Sequence, residues 1–406
     1  MMKDNKKPKL FKNLVDAVLL ALQEIVEGNK YADKVLEKVL KSNPKWGARD
    51  RAFIAETTYD IVRNQRLLEY LSEQSIGHTS LSSMLAMYLI QVGYEIPEWE
   101  MFKSVHGVTD HHLYNTIQAT SQQAILYSYP DWLYQLLQSE LGDEKLSTEL
   151  EALSLTASVY LRVNTLKVQP KKLQTLLEEE GIRTELIAPW VTLKLHTRQN
   201  VFRSKYFKLG YFEVQDWSSQ QVALALNVEP GMRVIDACAG GGGKTLHIAM
   251  LMQNKGKIIA MDTEEWKLKN LMQRAARAGV TIIEPRLIES SKTIKRLHES
   301  CDRLLLDVPC SGLGVLKRNP DTKWKLTLES VRATQTLQQD IIANYSDMLK
   351  PHSEMVYATC SILPSENEKQ VQQFLSTHQS YQLMEDKTIY PSQHESDGFY
   401  MARLKN

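Results

Sequence analysis

The stretch Val234-Ile235-Asp236-Ala237-Cys238-Ala239-Gly240-Gly241-Gly242-Gly243-Lys244-Thr245 leaves an apolar strand, crosses four consecutive glycines and enters a helix beginning near Leu246. Glycine permits positive φ and removes the Cβ that would block a ligand, while the following helix start presents unpaired N–H groups. Two ligand classes suit such a turn. A nucleoside triphosphate is suggested by the closing Gly-Lys-Thr and by Leu304-Leu305-Leu306-Asp307, an apolar run ending in aspartate. The phosphate-loop spacing refuses it, because the pattern needs glycine at the position of Cys238. The second class is an adenosyl group held beyond the carboxyl ends of parallel strands, with an acidic residue at the end of the next strand accepting from ribose hydroxyls. Asp262 closes Ile258-Ile259-Ala260-Met261-Asp262, 26 residues after Asp236. An aspartate there also serves as a helix cap or turn former; the glycines upstream favour the ligand.

Downstream of Gly231, apolar runs alternate with helical segments, which predicts a parallel sheet with crossover helices. The runs are Arg233 to Cys238, Lys257 to Asp262, Asp302 to Val308 and Met355 to Thr359, with a shorter one near Thr281 to Ile283. Upstream, after Ser154, the texture is that of a small α+β insert: Val159 to Val163, a helix over Pro170 to Gly181, then Thr184 to Ile187 and Val191 to His196. From Leu10 to about Leu141 the period is helical, with breaks at Asn43-Pro44, Gly77 and Tyr129-Pro130. Arg49, Arg51, Arg63 and Arg66 put positive charge on one helical segment, which by itself describes a solvated face. The expected domains are therefore 1–142, all helical; 155–215, the insert; and 216–406, the sheet.

The 406 residues suit two or three domains, and 43% apolar with 24% charged residues is ordinary for a globular chain. No run reaches the ~18 apolar residues of a membrane span, and the lysine-rich start, Met1 to Asn13, lacks the apolar core of a secretory signal. A cytoplasmic address is expected. A net charge of +1 supplies no global field for steering nucleic acid, so any such contact is local. Four cysteines without a C-x-x-C pair argue against a disulfide framework and against a zinc ribbon; no metal is expected.

Cys310 follows Leu306-Asp307-Val308-Pro309, and Cys360 follows Val356-Tyr357-Ala358-Thr359. Each sits just past an expected buried strand, on the side of the sheet where the glycine turn opens. An isolated free cysteine usually behaves as a small buried hydrophobe. These two are flanked instead by loop sequence, Ser311-Gly312-Leu313-Gly314 and Ser361-Ile362-Leu363-Pro364. The side chains of Cys238 and Cys301 lack such a setting and are assigned to packing.

Together, D-A-C-A-G-G-G-G-K-T at Asp236 to Thr245, D-V-P-C-S-G at Asp307 to Gly312 and A-T-C-S-I-L-P-S-E-N at Ala358 to Asn367 resemble the Sun/RsmB-type RNA (cytosine-5) methyltransferases. Leu161 to Lys167, Val214-Gln215-Asp216, Arg318-Asn319-Pro320-Asp321 and Asp397-Gly398-Phe399-Tyr400 extend the likeness over residues 155 to 406. Arg49 to Phe53 and Thr58 to Arg63 are similar to the NusB-like helical domain of bacterial members. The resemblance implies a multi-domain α and α/β chain: a NusB-like domain, an RNA-recognition-like α+β insert and a class I, Rossmann-like methyltransferase domain.

It further implies S-adenosyl-L-methionine as cofactor, held along Cys238, Ala239, Gly240, Gly241, Gly242, Gly243 and Lys244 and by Asp262, Glu289 and Asp307. Cys360 becomes the nucleophile, Cys310 the base and Asp307 the residue that holds the cytosine. Arg162, Lys167, Lys171, Lys172, Arg318 and Lys323 are candidates for RNA phosphate, and Trp324 for base stacking beside Lys317 and Lys325. The substrate implied is a ribosomal RNA, with transfer RNA as the other candidate, and the working form a monomer. The family turn commonly reads C-A-A-P-G-G-K-T; Gly240 and Gly241 in place of Ala and Pro predict a looser loop here. That departure supports an alternative, a noncatalytic RNA-binding or ribosome-assembly protein whose cofactor site has decayed.

Overall fold

In the computed structural model, residues 9–187 and 191–406 are described; the lysines among residues 1–8 lie outside them. The chain forms two units, one of residues up to Ser154 with Leu316–Leu326, the other of Leu155–Val315 with Thr327–Asn406.

The first unit is helical. Its opening helices Lys12–Leu22, Ala32–Ser42, Ala48–Arg63, Gln65–Ile76 and Leu81–Gln91 bury Leu14, Val18, Leu22, Ile54, Ile61, Leu68 and Leu85 in one core. The sequence breaks act as read: the helix Ala32–Ser42 stops before Asn43, Gly77 closes Gln65–Ile76 at φ 72°, and Pro130 precedes Asp131–Leu141. Helical structure runs past residue 142 into Asp143–Ser154, which buries Leu146, Leu150 and Leu153.

Residues 316–326 return to this unit from far along the chain. Asp321 Oδ2 accepts the Ala32 N–H at 3.0 Å, Lys323 Nζ donates to the Arg63 carbonyl at 2.7 Å, and Trp324 Nε1 donates to the Val62 carbonyl at 2.7 Å. Lys323 is 3% exposed, lies over the Tyr129 ring, and is pushed well below the ordinary lysine range by burial and then by the charge of Arg63. The expectation that Lys323 and Trp324 face RNA is therefore corrected: both polar groups serve carbonyls inside the helical unit.

Three of the four arginines are also committed within the unit. Arg51 donates to the carbonyls of Leu40 and Trp46, Arg63 pairs with Asp60, and Arg66 pairs with Asp131 at 2.7 Å and donates to the Tyr129 carbonyl.

The second unit holds two sheets. In the insert, β1 (Tyr160–Val163), β2 (Thr184–Ile187), β3 (Thr192–Leu195) and β4 (Phe212–Val214) pair antiparallel in the order β2-β3-β1-β4, with the helix Pro170–Glu179 packed against them. The main sheet contains β5 (Arg233–Asp236), β6 (Lys257–Asp262), β7 (Ile283–Leu287), β8 (Cys301–Asp307), β9 (Leu349–Thr359), β10 (Gln382–Ile389) and β11 (Phe399–Lys405). Their order is β10-β11-β9-β8-β5-β6-β7, parallel from β7 to β9, with β11 antiparallel to both neighbours. Apolar side chains on both faces, Ile235, Ile259, Leu304, Leu306 and Tyr357 on one and Val234, Ile258, Leu305 and Val356 on the other, bury it between helical layers.

Candidate active site

β8 and β9 are parallel neighbours with Asp307 beside Ala358, so the loops that follow them emerge side by side. Cys310 and Cys360 meet there with sulfurs 3.2 Å apart, and the Cys360 N–H donates to Cys310 Sγ at 3.3 Å. Both residues are half-buried. Gly314 secures the arrangement: its N–H donates to the Cys360 carbonyl at 2.9 Å, and a Cβ there would lie 2.1 Å from the Gly398 oxygen and 2.7 Å from the Cys360 oxygen. Only glycine allows that approach. The Cys310 thiol is pushed well above the ordinary range, first by its hydrogen bond with Cys360, then by burial and by the nearby charges of Cys360 and Glu366.

Lys244, the first side chain after the glycines, reaches Asp307 Oδ2 at 2.7 Å with its ammonium 4.9 Å from the Phe399 ring centroid. Burial works against its charge, but Asp307, with smaller help from Cys360 and Asp236, overcomes this and raises the ammonium above the ordinary lysine range. A cation and two thiols are thus gathered at the ends of three adjacent strands.

The glycine turn is tied down at every step. The Gly240 N–H donates to Asp262 Oδ2 at 2.9 Å, the Gly242 N–H to the Ala239 carbonyl at 2.9 Å, and the carbonyls of Gly241 and Gly243 accept from Arg274 and Arg162. Gly240 at φ 52° has open space where a Cβ would stand, whereas at Gly242, φ 84°, a Cβ would strike Leu271 at 2.5 Å. The looser loop expected from the extra glycines is offset by these side-chain anchors. Arg274 is in turn held by the buried Glu213 of β4 at 3.0 Å.

One more expectation is corrected here. Arg162 is 3% exposed; it donates to Gln215 and to the Gly243 carbonyl at 2.6 Å, and burial pushes its guanidinium down to about 9. It braces the glycine turn and has no solvent face for phosphate. Lys167 spends its ammonium on the carbonyls of Leu209 at 2.8 Å and Arg277 at 2.7 Å, joining the insert to the helix Glu265–Ala278. Lys171 and Lys172 lie exposed on the insert helix, and Arg318 falls in the segment 316–326 of the helical unit.

The residues present fit an adenosyl ligand. The turn leaves backbone accessible at Gly240, and Asp262 is oriented at the strand end by the N–H groups of Gly240 and Glu264. Glu289 lies exposed two residues past β7, where the Ile288 N–H binds the Asp262 carbonyl. Cys238 lines the same end, its thiol pushed well up by burial and by the charges of Asp236, Asp307 and Asp262. Sequence reasoning missed Arg274 and Glu213, whose partners are all distant in the chain, and Glu366, which binds Ser361 nearby but Ser311 55 residues away.

A sheet of this order, entered through a glycine turn at the end of β5 and carrying two thiols past β8 and β9, defines a Rossmann-like class I methyltransferase with a cysteine pair. The chain belongs to the 16S rRNA methyltransferase RsmB/F family, whose profile matches residues 223–405. The ferredoxin-like domain of RsmF/B-like methyltransferases matches residues 129–201, starting upstream of the insert boundary expected at 155. The chain is 32% identical over 438 residues to the probable ribosomal RNA small subunit methyltransferase B of Synechocystis sp., covering 95% of this chain and 98% of the relative. Among solved structures it is similar to PH0851, with a TM-score of 0.83 at 25% identity over 99% of this chain and 100% of that one. It shares its fold with NSun6 from Pyrococcus horikoshii, solved with SFG, at a TM-score of 0.63 and 22% identity over 69% of this chain and 99% of that one.

Proposed function

We propose that the protein methylates carbon 5 of a cytosine in ribosomal RNA, through a covalent bond between Cys360 and the base. The observation that carries this reading is the pair of sulfurs 3.2 Å apart, at the strand ends where Lys244 meets Asp307. Bound in the turn Cys238–Lys244 and against Asp262 and Glu289, S-adenosyl-L-methionine supplies an electrophilic methyl group.

Carbon 5 of cytosine is a poor nucleophile, and covalent addition divides one hard step into two easier ones. The Cys360 thiolate bonds to carbon 6, and the displaced electron pair moves toward the ring, which takes a proton at nitrogen 3. Asp307 holds the base, and the Lys244 ammonium, 2.7 Å from its Oδ2, can relay a proton through that carboxyl. Cys310 keeps its own proton while Cys360 is a thiolate, because a second negative charge 3.2 Å away is disfavoured. Once Cys360 is a neutral thioether, that opposition is gone. With the methyl group on carbon 5 and the nitrogen 3 proton given back, Cys310 can then ionise and take the carbon 5 proton; the freed pair re-forms the 5,6 double bond and expels Cys360.

The assignment is tested with ribosomal RNA, S-adenosyl-L-methionine and two variants. Cys360→Ala is expected to lose turnover and form no adduct, whereas Cys310→Ala accumulates a protein–RNA complex stable to denaturant. Equal adduct formation by both variants overturns the assignment. Absence of tritium release from carbon-5-labelled cytosine in the wild type would leave the protein an RNA binder.

A further inference from the structure

The residue after each reacting cysteine is a serine, and one buried carboxylate holds both. Glu366 Oε2 accepts from the hydroxyls of Ser311, at 2.5 Å, and Ser361; its Oε1 accepts the Ser311 N–H at 2.8 Å and the Gln338 side-chain amide at 3.1 Å. The two hydroxyls lie 3.2 Å apart, echoing the sulfurs one residue earlier. Glu366 is fully buried and fixed by its own backbone: its carbonyl accepts the Tyr357 hydroxyl at 2.8 Å and its N–H donates to the Leu363 carbonyl at 3.0 Å. The neighbouring Asn367, also fully buried, accepts from Thr359 and donates to the Ser361 carbonyl at 3.0 Å, closing the Cys360 loop on itself.

We infer that Glu366 is a positioning residue that sets the separation of the two reacting sulfurs by pinning their loops together through Ser311 and Ser361. Burying a carboxylate is costly unless its lone pairs are filled, and here four donors from three segments fill them. An ionised carboxylate accepts only. All four donors must therefore point inward, which fixes both loops at once. The inference rests on Cys310 and Cys360 being the reacting pair, but its first test needs neither RNA nor cofactor.

Diamide takes one hydrogen from each of two neighbouring thiols, becoming the hydrazine and leaving a disulfide, so the rate of Cys310–Cys360 closure reports their encounter. Closure is expected to slow at least tenfold in Glu366→Ala. kcat is expected to fall on the order of 100-fold with the KM for RNA unchanged, the cost of roughly 1 Å of misplacement. Glu366→Gln should restore both, because its amide oxygen can accept from Ser311 N–H and Gln338 while its amide nitrogen donates to the two hydroxyls. If Glu366→Ala does not fold, the Ser311→Ala/Ser361→Ala double variant decides by the same slowing and the same kcat loss. Wild-type closure or wild-type kcat in the deciding variant overturns the inference, as does a Glu366→Gln protein as impaired as the alanine. Slower closure alongside a wild type that methylates no cytosine would uphold the pin and sink the functional reading alone.

Discussion

Replacing Asp236 with asparagine removes a buried charge while keeping the shape and the hydrogen bond from the Thr245 hydroxyl, 2.7 Å from Oδ2. Asp236 is 1% exposed at the end of β5. Burial pushes its carboxyl from 3.8 up to about 7; the Thr245 hydrogen bond opposes the shift and the charge of Asp307 adds to it. Since the folded protein holds this proton more tightly than the unfolded chain, its contribution to stability is complete below pH 3.8 and is lost as the pH rises through about 7. From about pH 5.5 up to that point, roughly 1.5 pH units at about 1.4 kcal/mol each, the wild type should lose about 2 kcal/mol that the asparagine variant does not. Urea melts of the two proteins at about pH 5.5 and about pH 8.5, followed by near-ultraviolet dichroism, measure this directly. The variant should gain relative to the wild type at the higher pH. A stability difference that is the same at both pH values would refute the reasoning, because it would mean Asp236 is ionised throughout.

Arg162→Met removes the donors to Gln215 and the Gly243 carbonyl, so calorimetric affinity for S-adenosyl-L-methionine should fall about tenfold or more, at ~1.5 to 3 kcal/mol for a hydrogen bond from a charged group. RNA affinity by filter binding should not change; a loss confined to RNA would restore the phosphate role. Lys323→Met should leave the salt dependence of RNA binding untouched, where a phosphate contact would lower the slope by about one. Its effect should be a shift in thermal unfolding, since the ammonium serves the Arg63 carbonyl.

Strands with a strong local signal were legible in the sequence. The unbroken run Lys257–Asp262 and the segment Thr184–Ile187 are found with the bounds they show in the structure, and the strand expected near Thr281 to Ile283 lies at Ile283–Leu287. β10 was not legible, since Gln382-Leu383-Met384-Glu385-Asp386-Lys387 is an exposed edge whose pairing with β11 leaves no apolar pattern. Both cysteine loops could be placed, because a proline or a short loop motif follows each buried strand. The reversal at Arg162 has a simple cause. Alternation along Leu161-Arg162-Val163 puts the arginine on the face opposite its apolar neighbours, and that face is covered by the glycine turn, 81 residues away in sequence. Lys323 misled for the same reason: a lysine among aromatic residues has one composition whether its partners are phosphates or the Arg63 carbonyl and the Tyr129 ring.

The helical unit is discontinuous in the gene as well as in the chain. It borrows eleven residues, Leu316 to Leu326, encoded immediately after the segment that carries Cys310. A single recombination crossover near residue 154 would deliver the helical unit without these eleven residues, which stay with the other parent's sheet. Trp324 and Lys323 would then meet a foreign helix in place of the one whose Val62 and Arg63 carbonyls they bind. Exchange of this helical module between lineages therefore requires three crossovers, after residues 154, 315 and 326, or one followed by repair of the borrowed strap, which ties its inheritance to that of the Cys310 loop.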